Sequence, residues 1–323
     1  MTTFKEIRGQ LIKSLSSDPS PTTAGDMWYN STTKKLKGLV SVNAWASGGV
    51  LNTGRSNLSG CGIQTAALAF GGFSGTSVDA LSEEYNGSSW AEGNNLNTAR
   101  QKLAGIGTQT AGLGCGGYVP GSGAVNNSEE YNGTSYTEGN NMNTGRSHFK
   151  GAGTQTAGLG CGGYTTGGSP NLAITGITNE YDGTSWTVGG AMSTARSNLA
   201  AGGTQTAGLG FGGNTPSITA ATEEYDGSSW TGGGAMSTAR RSMAGRGVQT
   251  AGIVFGGETP SKTTATETYD GSSWSAAAAM AVATSGQMGS GTTSLAISAG
   301  GQGATNVTQE LTVADITKTF TTS

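Results

Sequence analysis

Hydrophobic positions along this chain come in short bursts rather than in helical stripes. "TAGLGFGG" at 206–213 alternates small residues with larger apolar ones. That is the period of a strand packed closely on both faces, and the Gly-Gly ends it. "YNGSSW" at 85–90 and "YDGTSW" at 181–186 set Asn-Gly or Asp-Gly between two aromatic residues. The spacing predicts a tight turn at positive φ, with the two rings on adjacent strands. Helical periodicity and caps are scarce, so residues 4–12 are the one stretch with a claim to helix.

These bursts repeat. Gly-Gly pairs begin at 71, 116, 162, 212, 256 and 300, at intervals of 45, 46, 50, 44 and 44, a period that marks a repeat architecture. The order within a unit is constant: "NTAR" or "STAR", then "TQTAGLGFGG", a loop, then "EEYDGSSW". Arg100, Gly116, Tyr131 and Tyr136 thus correspond to Arg196, Gly212, Tyr225 and Trp230. Six units follow, of which the sixth has Thr284 for the arginine and Leu311 for the tyrosine.

Four short strands per unit, with Gly-Gly, a Tyr-x4-Trp pair and an Arg before the first strand, resemble the kelch repeat over roughly residues 36–313. The turns are shorter and the glycine content higher than in most kelch proteins, and the Trp-Asp of WD40 repeats is missing. The resemblance implies an all-β fold: a six-bladed kelch-like β-propeller over residues 36–323, preceded by a short N-terminal extension and hairpin in residues 1–35. Trp45 stands ten residues before Arg55, as Trp90 stands before Arg100. The stretch "LVSVNAWAS" is therefore expected to complete the sixth blade beside "TQELTV", with "DITKTFTTS" as a rival.

Composition fits crowded inner strands. Glycine supplies 58 residues and charged residues only 11%, with a net charge of −3, where an average domain is about a quarter charged. The Lys and Arg are dispersed, which excludes a nucleic-acid stripe. No run reaches the roughly 20 apolar residues of a membrane span, and the N-terminus lacks the apolar core of a secretory signal. The three cysteines, Cys61, Cys115 and Cys161, have no metal or redox spacing, and the last two stand where other units have Phe70, Phe211 and Phe255. They read as buried apolar fillers.

Candidate chemistry is weighed against this frame. Glu83/Glu84, Glu129/Glu130 and Glu223/Glu224 are adjacent on a strand, so their side chains point to opposite faces and cannot act as a catalytic dyad. "DGTSW" is one residue short of the Asp box of sialidase propellers. Arg55, Arg100, Arg146, Arg196 and Arg240 share one repeat position, which favours structural bonding between blades over a converging sugar-carboxylate cluster. The single histidine, His148, cannot build the two-histidine copper site of kelch oxidases and reads as a surface or channel residue. No cofactor or metal site is expected, and no enzymatic activity.

What varies is the stretch from Gly-Gly to the next Tyr: 12, 13, 17, 11 and 11 residues in units one to five. Strand alternation puts these loops on the face of the "NTAR" connections, opposite the "TQT" and "DGSS" turns. Binding on a rigid scaffold concentrates in such loops. The candidate segments are 73–82, 118–128 and 164–178, with Phe73, Tyr118 and Tyr164 as rings able to stack on sugars.

Residues 1–35, with the hairpin "MWYNSTTKKLKG", resemble an N-terminal module of bacteriophage virion proteins, especially tail-fibre-like ones. The resemblance implies docking onto other virion proteins. The expected function is that of a structural protein of the virion, at the tail or as a surface appendage, displaying the propeller for attachment to a host surface glycan or receptor, or as decoration without a ligand. The alternatives are a glycan-active propeller enzyme and a non-viral kelch protein-interaction module.

Overall fold

The computed structural model describes residues 12–20, 25–166 and 172–320. The helical claim on residues 4–12 therefore lies, apart from Ile12, outside the described residues. The described residues up to Ala44, with those from Val313 onward, form one compact unit, and Trp45–Thr312 form a second. Residues 36–44 thus group with the N-terminal hairpin rather than with the repeats.

In the first unit, Lys13–Leu15 runs parallel to Met27–Asn30, which pairs antiparallel with Lys35–Gly38. Asp18 fixes this hairpin. Its carboxylate accepts bonds from Trp28 Nε1 at 3.0 Å, Asn30 Nδ2 at 2.9 Å and Lys37 Nζ at 2.7 Å. These partners, Lys37 foremost, hold its pKa down at about 2.

The second unit is a propeller-like all-β assembly of small antiparallel sheets. The first four-stranded sheet contains Ser59–Ile63, Ala66–Phe70, Ser82–Tyr85 and Trp90–Glu92 in that order. The next four units repeat it, beginning at Ala104, Lys150, Ala200 and Ala244. In unit six, Met288–Gly291 pairs with Ala296–Ala299, which pairs with Thr308–Leu311. The next strand is the one ending Trp45–Ser47, followed by bonds from Gly48 N to Thr308 O and Leu51 N to Asn306 O. "LVSVNAWAS" therefore flanks "TQELTV", and the rival "DITKTFTTS", described as far as Phe320, is the continuation of that same strand.

Each Tyr-x4-Trp pair is in register, as in Tyr85 opposite Trp90 and Tyr225 opposite Trp230, with ring centroids 4.9 and 5.0 Å apart. Burying one such ring removes on the order of 150–250 Å² from water, about 4–6 kcal/mol of hydrophobic stabilisation. In the turns between them only the glycines, such as Gly87 and Gly227, take positive φ. Asp226 acts instead through its side chain, whose Oδ1 accepts the amides of Ser228 and Ser229 at 2.8 and 2.7 Å.

The repeated arginines bond differently from expectation. Their side chains tie each connector to its own unit. Arg100 Nη1 donates to Gly116 O and Asn127 O at 2.8 and 2.9 Å, and Nη2 to Glu129 Oε1 at 2.8 Å, with the guanidinium and the Glu129 carboxylate buried. The backbone carbonyl of each arginine is what reaches the preceding unit, accepting from the second glycine of its pair, as in Gly72 N to Arg100 O at 2.8 Å. A Cβ on Gly116 would lie 2.6 Å from Arg146 O, which excludes any larger residue there.

The side-chain ties between neighbouring sheets come from other residues. Gln109 Nε2 donates to Ala67 O and Tyr85 O of the preceding sheet, and Gln155, Gln205 and Gln249 repeat the contact. Tyr131 donates to Glu84, Tyr181 to Glu130 and Tyr225 to Glu180. Trp186 Nε1 donates to Ser128 Oγ at 3.0 Å and Trp230 Nε1 to Thr178 Oγ1 at 2.8 Å. The first sheet bonds the sixth in the same way, through Gln64 to Ala296 O and Leu311 O and through Trp90 to Thr308.

Two units break the Arg/Glu pattern. In unit six Thr284 and Gln309 replace both partners, and Gln309 bonds the backbone of Val282 in both directions. In unit three Arg146 faces Asn179 at 2.7 Å. Burial lowers the Arg146 pKa to about 10, and its guanidinium lies 4.7 Å from the Phe149 ring. A buried ion pair broken on one side costs roughly 3–5 kcal/mol. Glu129→Gln is expected to lower the unfolding free energy by about that much, whereas Asn179→Glu, which supplies the missing charge, raises it by about 1–3 kcal/mol. Chemical denaturation of both variants checks the opposite signs.

Candidate functional site

Antiparallel register places the loops after each Gly-Gly, and the connectors before each Arg, at one end of the sheets. The Gln turns and the Asn-Gly or Asp-Gly turns lie at the other. At the loop end, one residue per unit occupies the same place nearest the axis: Asn57, Lys102, His148, Asn198, Ser242 and Gly286. All six have φ between 54° and 64°. Each amide donates to the carbonyl of its counterpart in the preceding unit: Lys102 to Asn57, His148 to Lys102, Asn198 to His148, Ser242 to Asn198, Gly286 to Ser242 and Asn57 to Gly286. The bonds measure 2.7–2.9 Å and return to their starting residue.

These six residues line a cavity of about 270 Å³, with Arg241, Glu258 and Gln302 at its edge. Arg241 Nε and Glu258 Oε1 are paired at 2.7 Å. Beneath is an apolar collar of Leu58, Leu103, Phe149, Leu199 and Met243 around about 40 Å³. Lys150 lines the collar and also the narrow space of about 20 Å³ below it, shared with Arg246. The far end opens into about 210 Å³ walled mostly by glycine.

Arg246 closes the axis. Its guanidinium donates to Gly60 O, Gly105 O, Gly151 O and Gly289 O at 2.6, 2.8, 2.8 and 3.2 Å, carbonyls from the innermost strands of four other units. The approach is tight enough that a Cβ on Gly105 would lie 2.6 Å from Gly60 O. Burial lowers the pKa of Arg246 and pushes that of Lys150 down to about 8, with Arg246 adding to the second effect. Burial, then Lys102 and Lys150, pushes His148 down to about 3, so its ring is neutral at ordinary pH. Its Nδ1 lies 3.0 Å from Ser147 Oγ.

Of the three rings named from the sequence, Tyr118 and Tyr164 stand against this cavity's own residues. Lys102 Nζ lies 6.0 Å from the Tyr118 ring centroid, and the His148 and Tyr164 rings meet edge to face at 5.1 Å. Phe73 bridges Ser56 and Val78 at the equivalent place. All three are half-buried. Part of the third loop, residues 167–171, lies outside the described residues.

Lys102, Lys150 and Arg246 were not singled out by sequence reasoning, though each interrupts the repeat. Lys150 stands where other units have Ser59, Ala104, Ala200, Ala244 or Met288, and Arg246 where they have Cys61, Ile106, Ala152, Gly202 or Ser290. The glutamate pairs set aside as a catalytic dyad are held in structural contacts. Glu83, Glu129 and Glu223 bind Arg55, Arg100 and Arg196, while Glu84, Glu130 and Glu224 accept tyrosine hydroxyls. The three cysteines are buried, with thiols pushed up to about 12. Among the described residues no group of three metal-ligating side chains occurs.

The folded chain releases the Lys150 proton near pH 8 and the unfolded chain near its ordinary 10.5. Between these values the unfolded state binds more protons, so this group makes stability rise with pH. Lys150→Met removes that rise, which denaturation at pH 7.5 and 10 measures against the parent. Lys102→Asn relieves a left-handed backbone cost of about 1–2 kcal/mol, and a raised Tm checks it. No protein-family model matches the chain, and a search of curated proteins finds none similar to it.

Proposed function

We propose that this chain is a structural protein of a bacteriophage particle, a tail or surface appendage. Its N-terminal hairpin segment docks onto other virion proteins, and a closed six-bladed kelch-like β-propeller presents its loop face to a host-surface glycan or receptor. One observation carries the reading: at equivalent positions of one repeated backbone, the two faces differ in how far the units agree. At the turn end, the Gln contact and the Asn-Gly or Asp-Gly turn recur nearly unchanged. At the loop end, Asn57, Lys102, His148, Asn198, Ser242 and Gly286 share a conformation but not a chemistry. Their neighbours Phe73, Tyr118, Tyr164, Asn214, Glu258 and Gln302 diverge likewise.

Backbone shape at these positions needs glycine or asparagine at most, so lysine, histidine and serine there serve something other than the fold. The circuit of backbone bonds supports closure of six blades, and a rigid base with variable loops suits recognition. Engagement of the glutamates in buried ion pairs and tyrosine bonds favours binding over glycan hydrolysis. Purified particles probed with an antibody to this chain are expected to label at the tail or surface, and absence of the chain from them overturns the virion reading. The isolated chain is expected to bind host cells, with binding reduced at least tenfold by grafting the 214–219 loop in place of 118–125.

A further inference from the structure

We propose that the axial cavity on the loop face binds the carboxylate-bearing end residue of an acidic glycan, a uronic or nonulosonic acid type of sugar. This deepens the reading of that face as a recognition surface and rests on it. The cavity holds about 270 Å³, room for one monosaccharide and its waters but not for a packed peptide segment. Its wall offers Asn57 and Asn198 amides, the Ser242 hydroxyl and the neutral imidazole of His148. Such groups can both donate to and accept from sugar hydroxyls.

Charge determines the class of sugar. Lys102 lines the cavity wall and Lys150 the collar beneath it, and Arg246 lies further down the same axis. Among the described residues, Lys102 and Lys150 form no ion pair, and Arg246 is satisfied by carbonyls rather than by a carboxylate. The one acid at the cavity edge, Glu258, is already paired with Arg241. A cavity with the Lys102 ammonium in its wall, Lys150 in the collar beneath and the Arg246 guanidinium behind them carries a positive potential that narrow apolar walls intensify. An anion entering it exchanges one hydration shell for charge-assisted hydrogen bonds, the stronger kind. Lys102 and His148 also sit in the left-handed region at positions where the same backbone elsewhere carries asparagine. Asparagine holds that conformation more easily, so neither side chain is there for the fold.

Lys102→Asn and His148→Asn copy Asn57 and Asn198 and so preserve the backbone. Isothermal titration of the full chain with D-glucuronate, N-acetylneuraminate, D-glucose and inorganic phosphate supplies the test. One of the two acidic sugars is expected to bind at least tenfold more tightly than glucose and phosphate, and the double variant to lose at least tenfold in affinity for it. Thr292→Ala, at the opposite opening, leaves binding unchanged. The proposal is overturned if glucose or phosphate binds as well as the acidic sugars, if the double variant binds like the parent, or if only a glutamate-rich peptide titrates. The two readings separate in a cell-binding assay. Parent-level cell binding by the double variant sinks the axial site and leaves the adhesion reading standing, whereas acidic-sugar titration without cell binding does the reverse.

Discussion

The inner strands of successive sheets crowd against one another, and their backbones must satisfy one another there. The residues from Asn57 to Gly286 answer with a circuit of amide-to-carbonyl bonds between units. Arg246 answers lower down by taking four carbonyls that face the axis. Both depend on glycine-width strands, because a side chain on Gly105 or its equivalents would occupy the space of the neighbouring backbone. The high glycine content is thus a packing requirement, and the scarcity of large aliphatic residues follows from it. Cohesion moves outward to the Tyr-Trp pairs and their polar ends.

That arrangement separates two jobs that the repeat places side by side. Arginine, the Gly-Gly carbonyl and the first glutamate hold each connector to its own sheet, and glutamine, tyrosine and tryptophan hold each sheet to the one before. The junction of units five and six lacks most of the second set. Leu311 replaces the tyrosine, Thr293 stands at the glutamine position, and Trp45 Nε1 and Thr266 Oγ1 are buried without hydrogen-bond partners among the described residues. Contact there runs through the Trp45 and Phe255 rings, 4.9 Å apart, through Gln287 to Phe255 O and through the two axial systems. The loop end, freed from these duties, is where side chains differ most between units.

Much of this was legible before any coordinates. A period near 45 residues, the Tyr-x4-Trp spacing and the Gly-Gly pairs announce short strands in equivalent sheets, because each of those signals is local. Trp45 at its fixed distance from Arg55 placed the N-terminal strand beside the C-terminal one. The direction of the arginine contacts was not legible: a side chain and its own carbonyl can serve different sheets, and spacing does not distinguish them. The axial cavity was missed for a related reason. Lys150 and Arg246 are single interruptions in separate copies, and only folding brings them within one narrow space.

The sequence by itself determined that the chain is a succession of like units of short strands, since glycine pairs, turn residues and paired aromatics act over a few neighbouring residues. It also marked which loops differ. Only the tertiary structure decided what lies at the centre. Residues 44 to 50 positions apart meet around an axis, so the sign of the charge and the size of the space there are sums over distant residues, and no local pattern carries such a sum.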